Sequence, residues 1–164
     1  MAKSDSFFIR ARVTAPNAGT YNEIPIDLGA YVDALGKTVL RIHNVAVSFQ
    51  DTGNAHRPPQ KGAGVEGSVA WQLTTQSKGS FAFADDRAVV SSGFLEVDNN
   101  EGSYEASNVN PQAWTDGYLI GVEALYLGVQ EASIVNDTEV SVILECNVET
   151  MTQSAAMALA LSQQ

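Results

Sequence analysis

The chain has 164 residues and a formal net charge of −10, from 9 basic and 19 acidic side chains. With 45% hydrophobic and only 17% charged residues, the composition excludes a disordered chain. The excess of acids argues against a nucleic-acid-binding protein, and the single Cys146 excludes a disulfide scaffold. We expect no integral membrane protein, because no run approaches the about 18 to 20 apolar residues of a membrane span. We expect no signal peptide, because the start MAKSDSFF lacks an apolar core.

The predicted elements are mostly β-strands, and the first of them covers residues 6–14. There the apolar side chains of Phe7, Ile9, Ala11 and Val13 occupy every second position. Successive side chains of a strand leave opposite faces, so this alternation predicts a half-buried strand. Applied along the chain, the same criterion predicts eight strands, at residues 6–14, 20–26, 38–50, 68–75, 80–84, 88–97, 118–127 and 139–149.

A β-bulge is predicted inside the strand at 38–50. The apolar positions up to Ile42 are out of phase with those that start at Val45. One extra residue on this strand, near His43 or Asn44, would bring both halves onto the same face.

The segments between the strands include one predicted helix and two long loops. A short helix is predicted over residues 27–36, DLGAYVDALG, which starts with a capping Asp and ends with Gly. The loops cover residues 51–67 and 98–117, and loops of this length in a compact domain usually have a function or an ordered partner.

The last residues form a tail. We expect a β-sandwich domain over residues 1–149 and an apolar tail or arm over 150–164. In this tail Met157, Leu159 and Leu161 suit either a helix or an added strand. Two interpretations stay open: the tail packs on its own sandwich, or it docks on a neighbouring subunit.

Residues with catalytic potential are few and scattered. His43 and His56 have no second ligand at zinc spacing, and Cys146 lies on the apolar face of a predicted strand. Glu123 and Glu145 are acids within strands, where solvent-facing carboxylates are ordinary. We therefore expect no enzyme, no catalytic residue, no metal site and no cofactor.

An alternative ligand site is carried by aromatic residues of the second long loop. Tyr104 and Trp114 lie among Asn, Ser and Gly residues, and aromatic rings stack on sugars in lectin-like modules. These two residues are the candidate ligand contacts of a carbohydrate-binding protein.

Charge is unevenly distributed along the sequence. All nine basic residues lie at or before Arg87, whereas the eleven carboxylates after it have no Lys or Arg near them in sequence. We expect the basic half of one copy to meet the acidic half of another, with Arg57 and Lys61 as predicted subunit contacts. Together with Met157, Leu159 and Leu161 of the tail, these residues form the predicted contact set. Raised salt should then weaken assembly.

Eight strands with long connections favour an all-β, antiparallel jelly-roll sandwich with one short helix and a C-terminal arm. The segments SFFIRARVT, VLRIHNVAVSF and VSVILECNVETMTQSAAMALALSQQ carry a further resemblance. In layout and composition, the chain resembles viral single jelly-roll capsid proteins. It departs from many of them in lacking an Arg/Lys-rich N-terminal arm, so no direct contact with a genome is expected.

That resemblance implies a structural subunit of a virus capsid, located in the virion. Its partners would be copies of itself and other virion proteins, assembled into an icosahedral shell. Low charge supports this prediction, because subunit contacts are depleted in charged residues. The alternative is a carbohydrate-binding, lectin-like β-sandwich module.

Overall fold

The computed structural model describes residues 3–33, 37–60, 62, 65–98, 105–109 and 114–164, with only the backbone at 98 and 105–109. Within these residues the chain forms nine strands followed by one helix. They are β1 (Phe7–Ala15), β2 (Asn22–Asp27), β3 (Thr38–Asp51), β4 (Gly67–Thr74), β5 (Val89–Asp98), β6 (Glu105–Val109), β7 (Tyr118–Ile120), β8 (Ala124–Ala132), β9 (Thr138–Thr150) and α1 (Gln153–Ser162).

The strands form two sheets that pack face to face. Sheet A has the order β1-β9-β3-β7, and sheet B has the order β2-β8-β4-β5-β6. All of these neighbours are antiparallel. The pairs are nested along the chain, since β1 pairs with β9, β2 with β8, β3 with β7 and β4 with β5. Eight strands wound in this way form a jelly roll, and β6 extends the outer edge of sheet B. The predicted fold class is confirmed.

Apolar side chains at alternate positions of the strands fill the space between the sheets. Along β9, Val140, Val142, Leu144 and Cys146 face the core and are buried. Trp71 of β4 is also fully buried. Burial raises the pKa of the Cys146 thiol to about 12, because the thiolate has lost its hydration. This thiol is therefore a packing group and not a nucleophile.

The predicted β-bulge is confirmed in β3. Its register against β9 shifts between Ile42 and Asn44, so that His43 is the extra residue. Ile42 is in the core, and after the shift Val45 and Val47 face the same core. The bulge thus keeps a strand of 14 residues apolar on a single face.

The predicted helix at 27–36 does not form in the part that the structure describes. The amides of Tyr31 and Val32 both donate to the Leu28 carbonyl, which closes one turn without continuing it. Leu28 and Val32 are nevertheless buried. A single turn places both in the core, so packing needs no further helical turn. Residues 34–36 lie outside the described residues.

Two strand predictions and one loop prediction also differ from the structure. No strand forms at 80–84, where the chain instead crosses the outer face of sheet B. The predicted strand 118–127 is divided between β7 in sheet A and β8 in sheet B. A strand, β6, lies within the predicted loop 98–117.

The one helix of the described residues is α1, whose N-terminus is capped by the Thr152 hydroxyl. It is ten residues long, and in the described part of the chain no helix has the length and apolar character needed to cross a membrane.

Candidate subunit-contact surfaces

The outer edge of sheet A at β7 is covered by the end of the chain. The side-chain amide of Gln163 donates to the Leu119 carbonyl at 2.7 Å and accepts from the Gly121 amide at 2.8 Å. In a parallel pair of strands, the carbonyl of residue i and the amide of residue i+2 bond in the same way to the N–H and C=O of one residue of the neighbouring strand. Gln163 therefore replaces a missing strand and protects this edge from pairing with another chain.

Helix α1 packs on the same edge. A Cβ atom on Gly121 would lie 3.0 Å from the Ala160 nitrogen and 3.1 Å from Leu159, so the contact requires a residue without a side chain. The Thr75 hydroxyl donates to the Gln163 carbonyl and Arg87 to the Gln164 carbonyl, at 2.8 and 2.9 Å.

Of the two interpretations of the tail, the structure shows packing on its own sandwich. Leu159 is half-buried against Gly121, whereas Met157 and Leu161 face outward. Leu161 is 67% exposed. The tail therefore still presents an apolar surface to solvent, although it is not an extended arm in this structure.

The opposite edge of sheet A is β1, and it has no strand on its outer side among the described residues. Its nine residues pair with β9 without any register shift. Sheet B ends in β2 on one side, where Pro25 removes one backbone donor. β1 contains no Pro, Gly or bulge, so it is a regular edge, and near its C-terminal end the Asn22 side chain donates to the Thr14 carbonyl at 2.7 Å.

Side chains around β1 are incompletely covered. Phe8, on the outer face of sheet A, is 54% exposed, and the Arg10 guanidinium lies 5.5 Å from the centre of its ring. On the inner face, Phe7, Ile9 and Ala11 are only half-buried, although they pack against the core.

A second exposed apolar group lies on the loop after β4. This loop is fixed to sheet B: the Ser77 hydroxyl and the Lys78 amide donate to Glu23, and the Ala82 amide donates to Gln72. At its tip, Phe83 is 86% exposed. An aromatic ring held in water by an ordered loop is available for contact with another molecule.

Of the predicted basic contacts, Arg57 is exposed and lies in the loop after β3. The backbone closes this loop, because the Asp51 amide donates to the Arg57 carbonyl and the Arg57 amide to the Asn54 carbonyl, both at 2.9 Å. Lys61 lies outside the described residues, and so does Tyr104.

Trp114 lines a polar cleft on the outer face of sheet A. Its half-buried ring packs on Tyr118, with 5.6 Å between ring centres. The cleft measures about 410 Å³, and its lining includes Lys3, Arg41, His43 and Trp114. It is comparable in size to a small-ligand site.

Beneath this cleft lies a fully buried carboxylate. Glu149 accepts two hydrogen bonds from the Arg41 guanidinium, at 2.7 and 2.9 Å, and pairs with Lys3 at 2.9 Å. Bonding from Arg41 lowers the pKa of Glu149 to about 2, more than burial raises it. Arg12 also pairs with Glu139, at 3.6 Å. Cations of the first half of the chain thus meet acids of the second half within one molecule.

A second buried carboxylate forms no ion pair among the described residues. Glu131 continues the inward row of Leu125, Leu127 and Val129 on β8, and neither of its oxygens has a hydrogen-bond partner among the described residues. Burial raises its pKa to about 7, the nearby Thr138 hydroxyl lowers it only in part, and Asp137 adds repulsion.

The remaining sequence candidates do not converge. His43 contacts Asn147 at the bulge, Glu123 is exposed after β7, and Glu145 is half-buried on sheet A. Within the described residues, no group of three or more His, Cys, Asp or Glu side chains is arranged to hold a metal ion.

Sequence patterns missed three of these features. Nothing in the sequence marks Gln163 as an edge cap or Phe83 as the tip of a fixed loop. Glu131 did carry a signal, because it is an acid in phase with three apolar residues of one strand.

These features define an all-β jelly-roll protein in which one edge of sheet A is covered by the C-terminus and the other, β1, has no neighbouring strand among the described residues. No protein-family model and no curated protein matches the chain. Among solved structures it is similar to VP1 of trichodysplasia spinulosa-associated polyomavirus, in complex with sialylated precision glycooligomers. The TM-score is 0.39 and the identity 11%, over 87% of this chain and 94% of that one. A second structure of that VP1, in complex with 3'-sialyllactose, has a TM-score of 0.38 and 10% identity, over 87% and 96%.

Proposed function

We propose that this chain is a structural subunit of a virus capsid, which assembles with copies of itself into a closed shell and catalyses no reaction. Jelly rolls serve as capsid domains, lectins and cupins, so the fold alone does not select the function. The observation that supports a capsid subunit is the contrast between the two edges of sheet A. One is covered by Gln163 and α1, and the other, β1, is open.

An open edge strand is a site for adding a strand from another molecule. The exposed apolar side chains extend this argument to other parts of the surface. Phe83, Met157 and Leu161 remain in contact with water although the elements that carry them are fixed by hydrogen bonds. Burying large apolar groups of this kind in subunit contacts would stabilise an assembly. The low content of charged residues lowers the cost of removing water from such contacts.

The test is the mass and shape of the purified protein. Light scattering and negative-stain electron microscopy should show closed particles or regular capsomers at physiological salt. A protein that stays at its monomer mass of 17.4 kDa over a wide concentration range contradicts the proposal.

Two variants of the tail distinguish an effect on subunit contacts from an effect on folding. Leu161→Ser changes an exposed residue, so we expect it to raise the protein concentration needed for assembly without changing the free energy of unfolding. Leu159→Ala changes a half-buried residue that contacts Gly121, so we expect it to lower the free energy of unfolding. If Leu161→Ser assembles as the wild type does, the outward face of α1 is not a contact.

One observation favours carbohydrate binding as a second candidate function. Trp114 presents part of its ring to a cleft that also contains Lys3, Arg41 and His43. An aromatic face beside hydrogen-bonding groups suits a sugar ring. A panel of neutral and acidic oligosaccharides, followed by tryptophan fluorescence and compared with Trp114→Ala, tests it. If no oligosaccharide changes the fluorescence, with or without calcium, this function is excluded.

A further inference from the structure

We propose that two copies of this chain pair through their β1 strands, antiparallel and around a twofold axis at Ile9, so that sheet A continues from one molecule into the next. This inference rests on the proposed self-assembly and names the surface that carries it. The reasoning starts from the open edge of β1 and then determines the register.

Incomplete burial of the inward side chains is confined to the N-terminal half of β1. The inward side chains of Phe7, Ile9 and Ala11 are half-buried, whereas Val13 and Ala15 are buried at 3% and 0% exposure. The chain's own sheet B therefore covers the C-terminal half of β1 and leaves its N-terminal half incompletely covered. A strand added beside Phe7–Ala11 would complete this coverage.

A twofold axis perpendicular to the sheet restricts the possible registers. Side chains that are directly opposite each other in an antiparallel pair lie on the same face, so inward residues must face inward residues. With the axis at Ile9, Ile9 faces Ile9 of the second copy, and Phe7 faces Ala11. All three incompletely buried positions then receive apolar neighbours.

Charge on the outer face favours the same register over those with the axis at Arg10 or Ala11. With the axis at Ile9, Phe8 lies opposite Arg10 of the second copy, an aromatic–guanidinium contact that β1 already makes within one molecule at 5.5 Å. An axis at Arg10 would place two Arg10 side chains opposite each other. An axis at Ala11 would place Arg10 opposite Arg12. Like charges directly opposite are destabilising, so both of these registers are disfavoured.

The rest of the outer face permits the pairing. Arg12 bends toward Glu139 on β9, so its charge is partly balanced within its own molecule. Glu145 is the register partner of Phe8 on β9 and supplies a carboxylate beside Arg10 of the second copy. Five residues of each copy would pair, which suits one contact within a larger assembly.

The test is a cysteine at the axis. The two Cα atoms of Ile9 would lie about 4.5 to 5.5 Å apart, within the range of a disulfide. We expect Ile9→Cys to shift under mild oxidation from 17.4 kDa to a covalent dimer of twice that mass, reversibly with reductant. Ala11→Cys is the matched control, because it has the same face and similar burial. In the proposed register the two Cα atoms of position 11 are offset by about 13 Å along the strands, so this variant does not cross-link.

A second experiment uses outer-face positions, where substitution disturbs folding least. A mixture of Phe8→Cys and Arg10→Cys proteins should give a covalent heterodimer, and neither protein alone should dimerise to the same extent. Equal cross-linking of Ile9→Cys and Ala11→Cys, or no heterodimer in the mixture, overturns the register and the pairing.

Electron microscopy of the wild type separates this inference from the proposed function. Particles without the Ile9→Cys dimer would overturn the pairing and leave the capsid function standing. Covalent dimers without particles would support the pairing and contradict the shell.

Discussion

Glu131 gives the most specific prediction for the stability of the fold. Its carboxyl group is 3% exposed, points between the sheets and has a pKa raised to about 7. In the unfolded chain the same group has its ordinary pKa of 4.5. Between these pH values the folded state holds a proton that the unfolded state has released. The free energy of unfolding therefore falls as pH rises from 4.5 through 7.

The size of the effect follows from the two pKa values. At about 1.36 kcal/mol per pKa unit, the rise from 4.5 to about 7 corresponds to about 3 kcal/mol of stability that is lost above pH 7. Glu131→Gln keeps the size of the side chain and removes its ionisation. We expect this variant to be more stable than the wild type at pH 8, and to differ from it least below pH 4.5.

The assay is urea unfolding at equal protein concentration between pH 4.5 and 8, followed by the fluorescence of the tryptophans, of which Trp71 is fully buried. The matched control is Glu96→Gln, because Glu96 is an exposed acid on β5 of the same sheet. If Glu131→Gln has the same pH dependence as the wild type and the control, then Glu131 is not a buried carboxyl group and the reasoning is wrong.

Two further predictions follow from the packing. Glu149→Gln removes the anion that binds Arg41 and Lys3, so it should lower the free energy of unfolding by about 3 kcal/mol at pH 7. The difference from the wild type should shrink as pH falls from 4.5 toward 2, where wild-type Glu149 is itself protonated; a constant difference in urea unfolding would contradict the ion pair. Gly121→Val should displace α1, because its Cβ would lie 3.0 Å from the Ala160 nitrogen. Faster amide hydrogen exchange over α1 checks this, and unchanged exchange would show that the helix does not depend on this contact.

The sequence by itself determined the fold class, because strand periodicity is a local property. The alternation in β1 and β9, and the phase change at His43, each follow from side chains leaving opposite faces of one strand. Burial of Cys146 followed from the same pattern. The buried acid at Glu131 was present in that pattern as well, but only the structure shows that its oxygens have no hydrogen-bond partner among the described residues.

Only the tertiary structure decided which edges are covered. Tail composition allowed either a helix on its own sandwich or an arm on a neighbour, and the outcome depends on Gly121 and the free backbone groups of β7, which are distant in sequence. The short turn at Leu28 and the loop that carries Phe83 have the same origin. Local propensity favoured a helix and a strand there, and contacts with the core and with Gln72 and Glu23 outweighed it. Pairing between distant segments has no local signature in the sequence. The edge position of β1 therefore follows only from the strand order of the complete sheet.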